Sequence, residues 1–485
     1  MRLNPILVWS GTVLLLGLTA CSQDTAPTSP TDRPSISANK ASTQGSLYLV
    51  SFSETAPADL QARLTAAGGK VKKISKAAGI AKVVSDAPNF AAQAAAIPGV
   101  EGVGKDRVVR WVDPGQRVFR AKTKNKPSTV KGHSIGDNEP FFGSQWDMTA
   151  IHAPEAWDAG ARGTGVRVAV LDGGLNDTHV DLAGTVDSRC SASMVDGFAF
   201  NEDFDPDGFS HATHVAGTVA ALDNSIGTIG VAPGTTIIGV KVLQEGNGSF
   251  EDVIDGILYA ADPSSTPGKE GCARADIINM SLGATFVPEK GDKELLKALD
   301  KATTFADKHG VLVIASAGND ALNLDEARIA VTVPAQSARV LAVSATAPVG
   351  FALGATNFTR LASYSNFGKS VIDLAAPGGD FVLPGDDLCA IGPIVAPCFV
   401  FDFVLSPATL APDNTGYFFA AGTSQAAPHV AGVAALILSK HGGSGSMKPA
   451  QLKAALEQSA DDLGKPGFDA VYGHGFVDAL TAILH

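Results

Sequence analysis

Five short runs, Val166–Leu171, Ile237–Val242, Asp276–Met280, Val311–Ala315 and Val340–Val343, are dominated by Val, Ile and other apolar residues. A strand covered on one face alternates apolar and polar residues, whereas a strand buried on both faces reads as a nearly continuous apolar run. Such runs demand a sheet with helices on both sides. Helical stretches lie between them. One opens at Ser249 with Asp252 three residues on, a pattern in which two side chains satisfy each other's free backbone N–H groups. Others span Lys293–His309 and Thr423–Lys440. This alternation predicts an α/β body from Phe141 to His485 with a doubly wound, mainly parallel sheet and a site at the carboxyl ends of its strands. Gly379–Asn414 breaks the alternation and is expected to be a long surface loop.

The chain before this body reads differently. Arg2, the apolar run Ile6–Leu18 and then Leu18-Thr19-Ala20-Cys21 predict a secretory signal over residues 1–21. Leu-x-Ala-Cys resembles the bacterial lipobox, which implies lipid on Cys21 and initial attachment to a membrane. Residues 22–45, rich in Ser, Thr, Pro and Ala, predict a disordered tether. From residue 46 to 112 the order is strand Leu47–Phe52, helix Pro57–Ala67, strands Lys70–Ile74 and Ile80–Val84, helix Ala87–Ala96 and extended Val100–Trp111. That is the β-α-β-β-α-β order of a small ferredoxin-like α+β domain. Residues 113–140, basic and poor in apolar side chains from Gln116 to Glu139, predict an exposed, cleavable linker.

Export also bears on cysteine. Beyond Cys21 the chain has Cys190, Cys272, Cys389 and Cys398, an even number that predicts two disulfides. Three pairings are open; Cys389 with Cys398 is local and easy to close, which leaves Cys190 with Cys272. The net charge of −12 argues against a nucleic-acid partner and against general attraction to anionic membranes.

The candidate chemistry lies where predicted strands end and helices begin. Ser424, in Gly422-Thr423-Ser424-Gln425-Ala426-Ala427-Pro428-His429-Val430-Ala431-Gly432, sits just inside an apolar helix, where backbone N–H groups and positive dipole potential are available. A serine hydroxyl is a weak nucleophile and needs a base, a group that orients the base, and oxyanion donors. Asp172 follows the run Val168–Leu171, and His211 opens His211-Ala212-Thr213-His214-Val215-Ala216-Gly217. Asn319 ends Ile314-Ala315-Ser316-Ala317-Gly318-Asn319.

Together with Asn279-Met280-Ser281-Leu282-Gly283, these motifs, in the chain order Asp, His, Ser, resemble the subtilisin-like serine proteases (subtilases). The resemblance extends from Gln145 to His474. It implies a serine endopeptidase acting as a monomer on polypeptides. Ser424 would be the nucleophile, His211 the general base, Asp172 its orienting acid and Asn319 an oxyanion donor beside the Ser424 N–H. His214 would be structural. Ser281, Leu282 and Gly283 would form an edge strand that pairs with substrate, and Ala317 and Gly318 a wall of the pocket beside the cleaved bond.

The same resemblance implies a structural Ca²⁺ held by the carbonyls of Leu222, Ile226 and Thr228 and the side chains of Asn224, Asp181 and Gln145. It further implies that residues 46–112 are an inhibitory propeptide. A cut within the linker would carry the tether and Cys21 away and release the protease from the cell envelope. Three residues depart from the family pattern: Gly173, where a hydroxyl is usual, Ala212, where Gly is usual, and Gln425, where Met is usual. The alternative reading is an inactive homologue serving as a surface binding module.

Overall fold

The computed structural model describes residues 45–112, 117–123, 138–203, 208–327 and 330–485. The signal, the tether and Cys21 lie outside them.

Period-two alternation in the first strand, Ser46–Phe52, explains how the N-terminal domain is used on two sides. Val50 and Phe52 point into its own core with Leu64, Val83 and Phe90, while Leu49 faces away and joins the core of the body. The domain is a four-stranded antiparallel sheet in the order Lys70–Ser75, Ile80–Ser85, Ser46–Phe52, Val100–Lys105. Helices Leu60–Ala66 and Phe90–Ala95 cover it through Leu60, Leu64, Phe90 and Ala94. This is the ferredoxin-like arrangement anticipated from the element order. Its other face seats Leu49, Ala78 and Ile80 against the body. Lys82 reaches Glu251 and Asp255 (2.6 Å to the latter), and Lys301 Nζ donates to the Phe52 carbonyl at 3.0 Å. Asp106 accepts from the Glu251 N–H (3.2 Å) at the start of helix Phe250–Ala261, a position where a helix favours negative charge.

The body is built on one eight-stranded sheet. Its parallel strands run in the order Leu374–Pro377, Val340–Ala347, Leu312–Ser316, Ile277–Met280, Arg167–Asp172, Thr236–Lys241, Ala192–Ser193, and Arg360–Leu361 adds antiparallel to Val340–Ala347. The chain starts at Arg167–Asp172, moves outward on one side, then returns to Ile277–Met280 on the other. Asp172 therefore ends the strand at which the winding reverses, and the crevice outside its carboxyl end is where such sheets bind ligands. Helix Thr423–Lys440 is buried around nearly its whole circumference, as an apolar helix inside a large core must be. Ser249 and Asp252 exchange N–H bonds (2.9 and 3.2 Å), so the anticipated capping pair forms.

Two regions differ from expectation. Gly379–Asn414 is not a surface loop. It holds a hairpin, Leu388–Ile391 with Ile394–Pro397, and strand Val404–Pro407, which pairs with Tyr417–Ala420. Ile394, Val400, Phe401, Phe403, Val404 and Leu405 are buried. The Gly, Pro and Asp residues that open the segment conceal an apolar stretch from Phe399 to Val404, interrupted at Asp402. Part of the predicted linker is also docked: Val118–Arg120 adds to the edge of Tyr417–Ala420, and Phe119 packs edge-on against Phe399 and Phe403.

Both disulfides form in the pairing Cys190–Cys272 and Cys389–Cys398. No helix of the described residues is long and apolar enough to cross a membrane.

Candidate active site

Asp172 closes strand Arg167–Asp172, and its Oδ1 accepts from the Gly173 N–H at 2.7 Å. His211 is the first residue of helix His211–Ala220, which is capped by the Ser210 hydroxyl accepting from the Thr213 N–H (3.1 Å). That cap sets the helix entry and turns the imidazole to the sheet end. His211 Nδ1 lies 2.8 and 3.0 Å from the two Asp172 oxygens. A carboxylate on Nδ1 selects the tautomer that leaves Nε2 as the proton acceptor. Nε2 is buried and has no protein partner among the described residues. His214, one turn on, is fully buried; its Nε2 meets the carbonyls of Val404 (3.2 Å) and Phe418 (3.1 Å), and burial pushes it down to about 3, so it stays neutral.

Ser424 is the second residue of helix Thr423–Lys440, so its N–H has no intrahelical acceptor. Pro428, four residues on, lacks the N–H that would bond the Ser424 carbonyl. That orphaned carbonyl accepts instead from the Ser281 hydroxyl at 2.6 Å. The Ser424 hydroxyl in turn donates to the Ser281 carbonyl at 3.1 Å, and Asn279 Nδ2 steadies the Ser281 hydroxyl at 2.9 Å. Ser281 follows strand Ile277–Met280, the neighbour of the Asp172 strand. The sequence marked Ser281 only as cleft edge; the structure adds a support for the nucleophile that follows from a proline inside a helix.

Asn319 follows strand Leu312–Ser316. Its Oδ1 accepts from the Thr423 N–H (2.9 Å) and hydroxyl (2.7 Å), while the Thr423 hydroxyl accepts from Gly318 N–H at 3.1 Å. With its oxygen so held, the orientation of the Asn319 side chain is fixed by Thr423. Gly318 has φ +96°, a left-handed conformation that side chains resist, and an added Cβ would lie 2.5 Å from Asn366 Nδ2. Ala317 and Leu282 are buried beside it.

Ser281, Leu282 and Gly283, expected to form an edge strand, lie between strands Ile277–Met280 and Ala284–Phe286, and Gly283 already has a backbone partner. Gly283 N–H donates to the Trp111 carbonyl (2.8 Å), and Trp111 N–H donates to Gly246 (2.9 Å). Val108–Arg110 pairs antiparallel with Asn247–Ser249. The Trp111 side chain is 2% exposed, donates its Nε1–H to Gly248 at 3.0 Å and meets Phe250 edge-on. The last described residues of the N-terminal domain thus lie as an added strand between two segments of the body.

The departures from the family pattern are buried features. Asp203 Oδ2 stands where a side chain on residue 173 would begin, 2.2 Å from a Cβ built there, and accepts from Gly174 N–H at 3.0 Å. Ala212 and Gln425 are both buried. Near them lies a lysine the sequence did not single out. The Lys241 side chain is fully buried, burial holds its ammonium below the ordinary value, and Asp203 and Asp172 oppose that shift.

The structure brings Asp181, Leu222, Asn224, Ile226 and Thr228 of the predicted metal loop into one hydrogen-bonded turn, without Gln145. Asp181 accepts from Thr228 N–H (3.1 Å) and Asn224 Nδ2 (3.3 Å), and Leu222 N–H bonds the Asp181 carbonyl (2.9 Å). Asn224 Oδ1 accepts from Ile226 N–H at 2.8 Å. Gln145 is engaged elsewhere, its amide accepting from Ile229 N–H (3.0 Å) and donating to Ile229 O (2.8 Å). Glu139, unmarked by the sequence in its polar linker, enters the loop. Its Oε1 accepts from the N–H groups of Asn224 and Ser225, each at 2.8 Å, while its buried Oε2 has no partner among the described residues. Burial pushes Asp181 and Glu139 each up to about 7.

A doubly wound sheet with an Asp–His pair, a helix-start serine and an anchored asparagine at its strand ends defines a serine peptidase of the subtilisin type. The comparisons agree: the subtilase family profile matches residues 163–475. The chain is 32% identical over 455 residues to subtilisin NAT of Bacillus subtilis subsp. natto, covering 92% of each. Among solved structures it resembles a lanthipeptide protease (TM-score 0.56, 30% identity, 70% of this chain and 93% of that one). It shares its fold with the epidermin leader peptide processing serine protease of Staphylococcus aureus (TM-score 0.67, 22% identity, 91% and 98%). The chain belongs to the subtilase family.

Proposed function

We propose that the protein is an exported serine endopeptidase made as a self-inhibited zymogen. Ser424 attacks the scissile carbonyl, His211 takes its proton and returns it to the leaving amine, and Asp172 holds the imidazole and stabilises its charged form. Asn319 and the Ser424 N–H receive the oxyanion. The observation that carries this reading is the two-oxygen contact of Asp172 with His211 Nδ1, which leaves Nε2 without a protein partner at the end of the strands. The Ser424 hydroxyl rests on the Ser281 carbonyl, so attack requires it to turn to Nε2, a tightening common when substrate binds. A serine-reactive phosphonate probe tests this. Labelling of the mature protein that vanishes in Ser424→Ala is expected; a wild-type protein that takes no label is the inactive binding module instead.

The strand Val108–Arg110 with Trp111 occupies the segment where a substrate backbone would pair, which supports residues 46–112 as the inhibitor. The linker holds the maturation cut, and residues 1–21 direct export, with Cys21 as the lipid site before release.

We also propose structural Ca²⁺ at the Asp181 loop. Two buried carboxylates, Asp181 and Glu139, share it, and among the described residues neither forms an ion pair with Lys or Arg. Hard oxygen donors of this kind suit calcium. Asp181, Asn224, Glu139 and the carbonyls of Leu222, Ile226 and Thr228 would hold it, with Gln145 bracing the loop through Ile229. A ligand present at a hundred times its Kd stabilises by about 2.7 kcal/mol, so excess EDTA should lower the melting temperature by roughly 5 °C. Glu139→Gln should shrink that difference. A melting temperature indifferent to EDTA sinks the calcium assignment.

A further inference from the structure

We infer that the buried Lys241–Asp203 ion pair is a positioning device for Asp172 and His211, standing in for the side chain that Gly173 lacks and setting a cation and an anion behind the catalytic pair. The inference rests on the reading of Asp172, His211 and Ser424 given above.

Three contacts place Lys241 behind the acid. Lys241 and Asp172 are direct partners across the parallel strands Arg167–Asp172 and Thr236–Lys241, so their side chains leave the sheet on the same face. The Lys241 ammonium donates to the Leu243 carbonyl at 2.6 Å. That turn grips the Asp172 backbone, since the N–H groups of Val242 and Leu243 both donate to the Asp172 carbonyl (2.8 and 3.1 Å). The lysine thus fixes the turn that fixes the acid.

Asp203 completes the device from the other side. One carboxylate oxygen accepts from Gly174 N–H at 3.0 Å, the other from Glu245 N–H at 3.2 Å, and Lys241 Nζ lies 3.7 Å away. Asp203 therefore ties the turn after Asp172 to the turn after Lys241, from the loop that precedes His211. It also fills the space of a residue-173 side chain. A buried lysine is expensive unless paired, and here its partners are a non-catalytic carboxylate and the field of the catalytic one.

The charges around the Asp172–His211 pair give the test its signs. Among the described residues, His214 on the His211 helix couples to His211, while Lys241 on the adjacent strand couples to Asp172 and to Asp203 and Glu202 on the loop before His211. Removing the cation favours protonated His211, and removing Asp203 disfavours it. In the mature protein, the acid limb of kcat/KM reports the general base. Lys241→Met should move that limb to higher pH and Asp203→Asn to lower pH, each by about half a pH unit or more. The Lys241→Met/Asp203→Asn double variant should return close to wild type. Limbs that stay in place while kcat falls, or that move in the same direction, overturn the inference. If Lys241→Met does not fold, Asp203→Asn alone decides, and an unmoved limb counts against it. Hydrolysis by wild type that is lost in Ser424→Ala, with unmoved limbs in the variants, refutes only this device; absence of Ser424-dependent hydrolysis refutes the underlying function.

Discussion

Ser424→Ala is expected to reduce turnover of a peptide substrate on the order of a million-fold, the size of loss seen when a triad acting as a unit is deprived of its nucleophile. The substitution removes one oxygen. That oxygen donates to the Ser281 carbonyl, while the Ser424 carbonyl remains bonded to the Ser281 hydroxyl, so the helix start keeps its brace and the fold should persist. KM should change little, because Gly283 and Gly318, the proposed substrate-pairing edge and pocket wall, are untouched. A second readout separates self-maturation from cutting by another enzyme. The variant, expressed alone, should retain residues 46–112 in one covalent chain, read by intact mass. A variant processed as fully as wild type refutes self-cleavage, and one that hydrolyses peptide at near wild-type rate refutes Ser424 as nucleophile.

Asn319→Ala should lower kcat on the order of 100- to 1000-fold with KM nearly unchanged, since an oxyanion donor acts on charge that exists only in the transition state. The proposed donor is fixed in place: Thr423 holds the Asn319 oxygen by two bonds, at 2.9 and 2.7 Å. Asn319→Asp sharpens the test. It preserves shape and the contact to Thr423 but replaces the donor with an acceptor, so it should be at least as damaging as Ala. If kcat in Asn319→Asp stays within a few-fold of wild type, the oxyanion is held by other groups.

The residues of this constellation were legible because each sits where the sequence declares an element boundary. Asp172 and Asn319 follow Val- and Ile-rich runs, and His211 and Ser424 open apolar helices. The supports were not legible. Lys241 interrupts the apolar run Ile237–Val242 near its end, where a lysine ordinarily extends its head to water; only the neighbouring strand and the Asp203 loop, distant in sequence, reveal its burial. Glu139 lay in a basic, polar stretch that says nothing of the loop it enters some eighty-five residues on. Trp111 was visible as the end of an extended segment, but its seat beside Gly248 and Phe250 is a tertiary fact. Gly379–Asn414 was misread because turn-forming residues at its start outweighed the apolar stretch behind them, and a local disulfide, Cys389–Cys398, lets so short a hairpin hold its shape.

The short strand Val118–Arg120 would give the place of the proposed maturation cut a mechanical consequence. It is the outer member of a three-stranded ribbon whose middle strand, Tyr417–Ala420, runs directly into the turn before the nucleophile. A cut upstream of Val118 leaves this outer strand with the mature enzyme as a permanent splint. A cut downstream of Arg120 removes it together with the inhibitor and bares a backbone edge a few residues ahead of Ser424. The same bond-breaking event would then free the cleft and leave one edge of the strand leading to Ser424 without its partner.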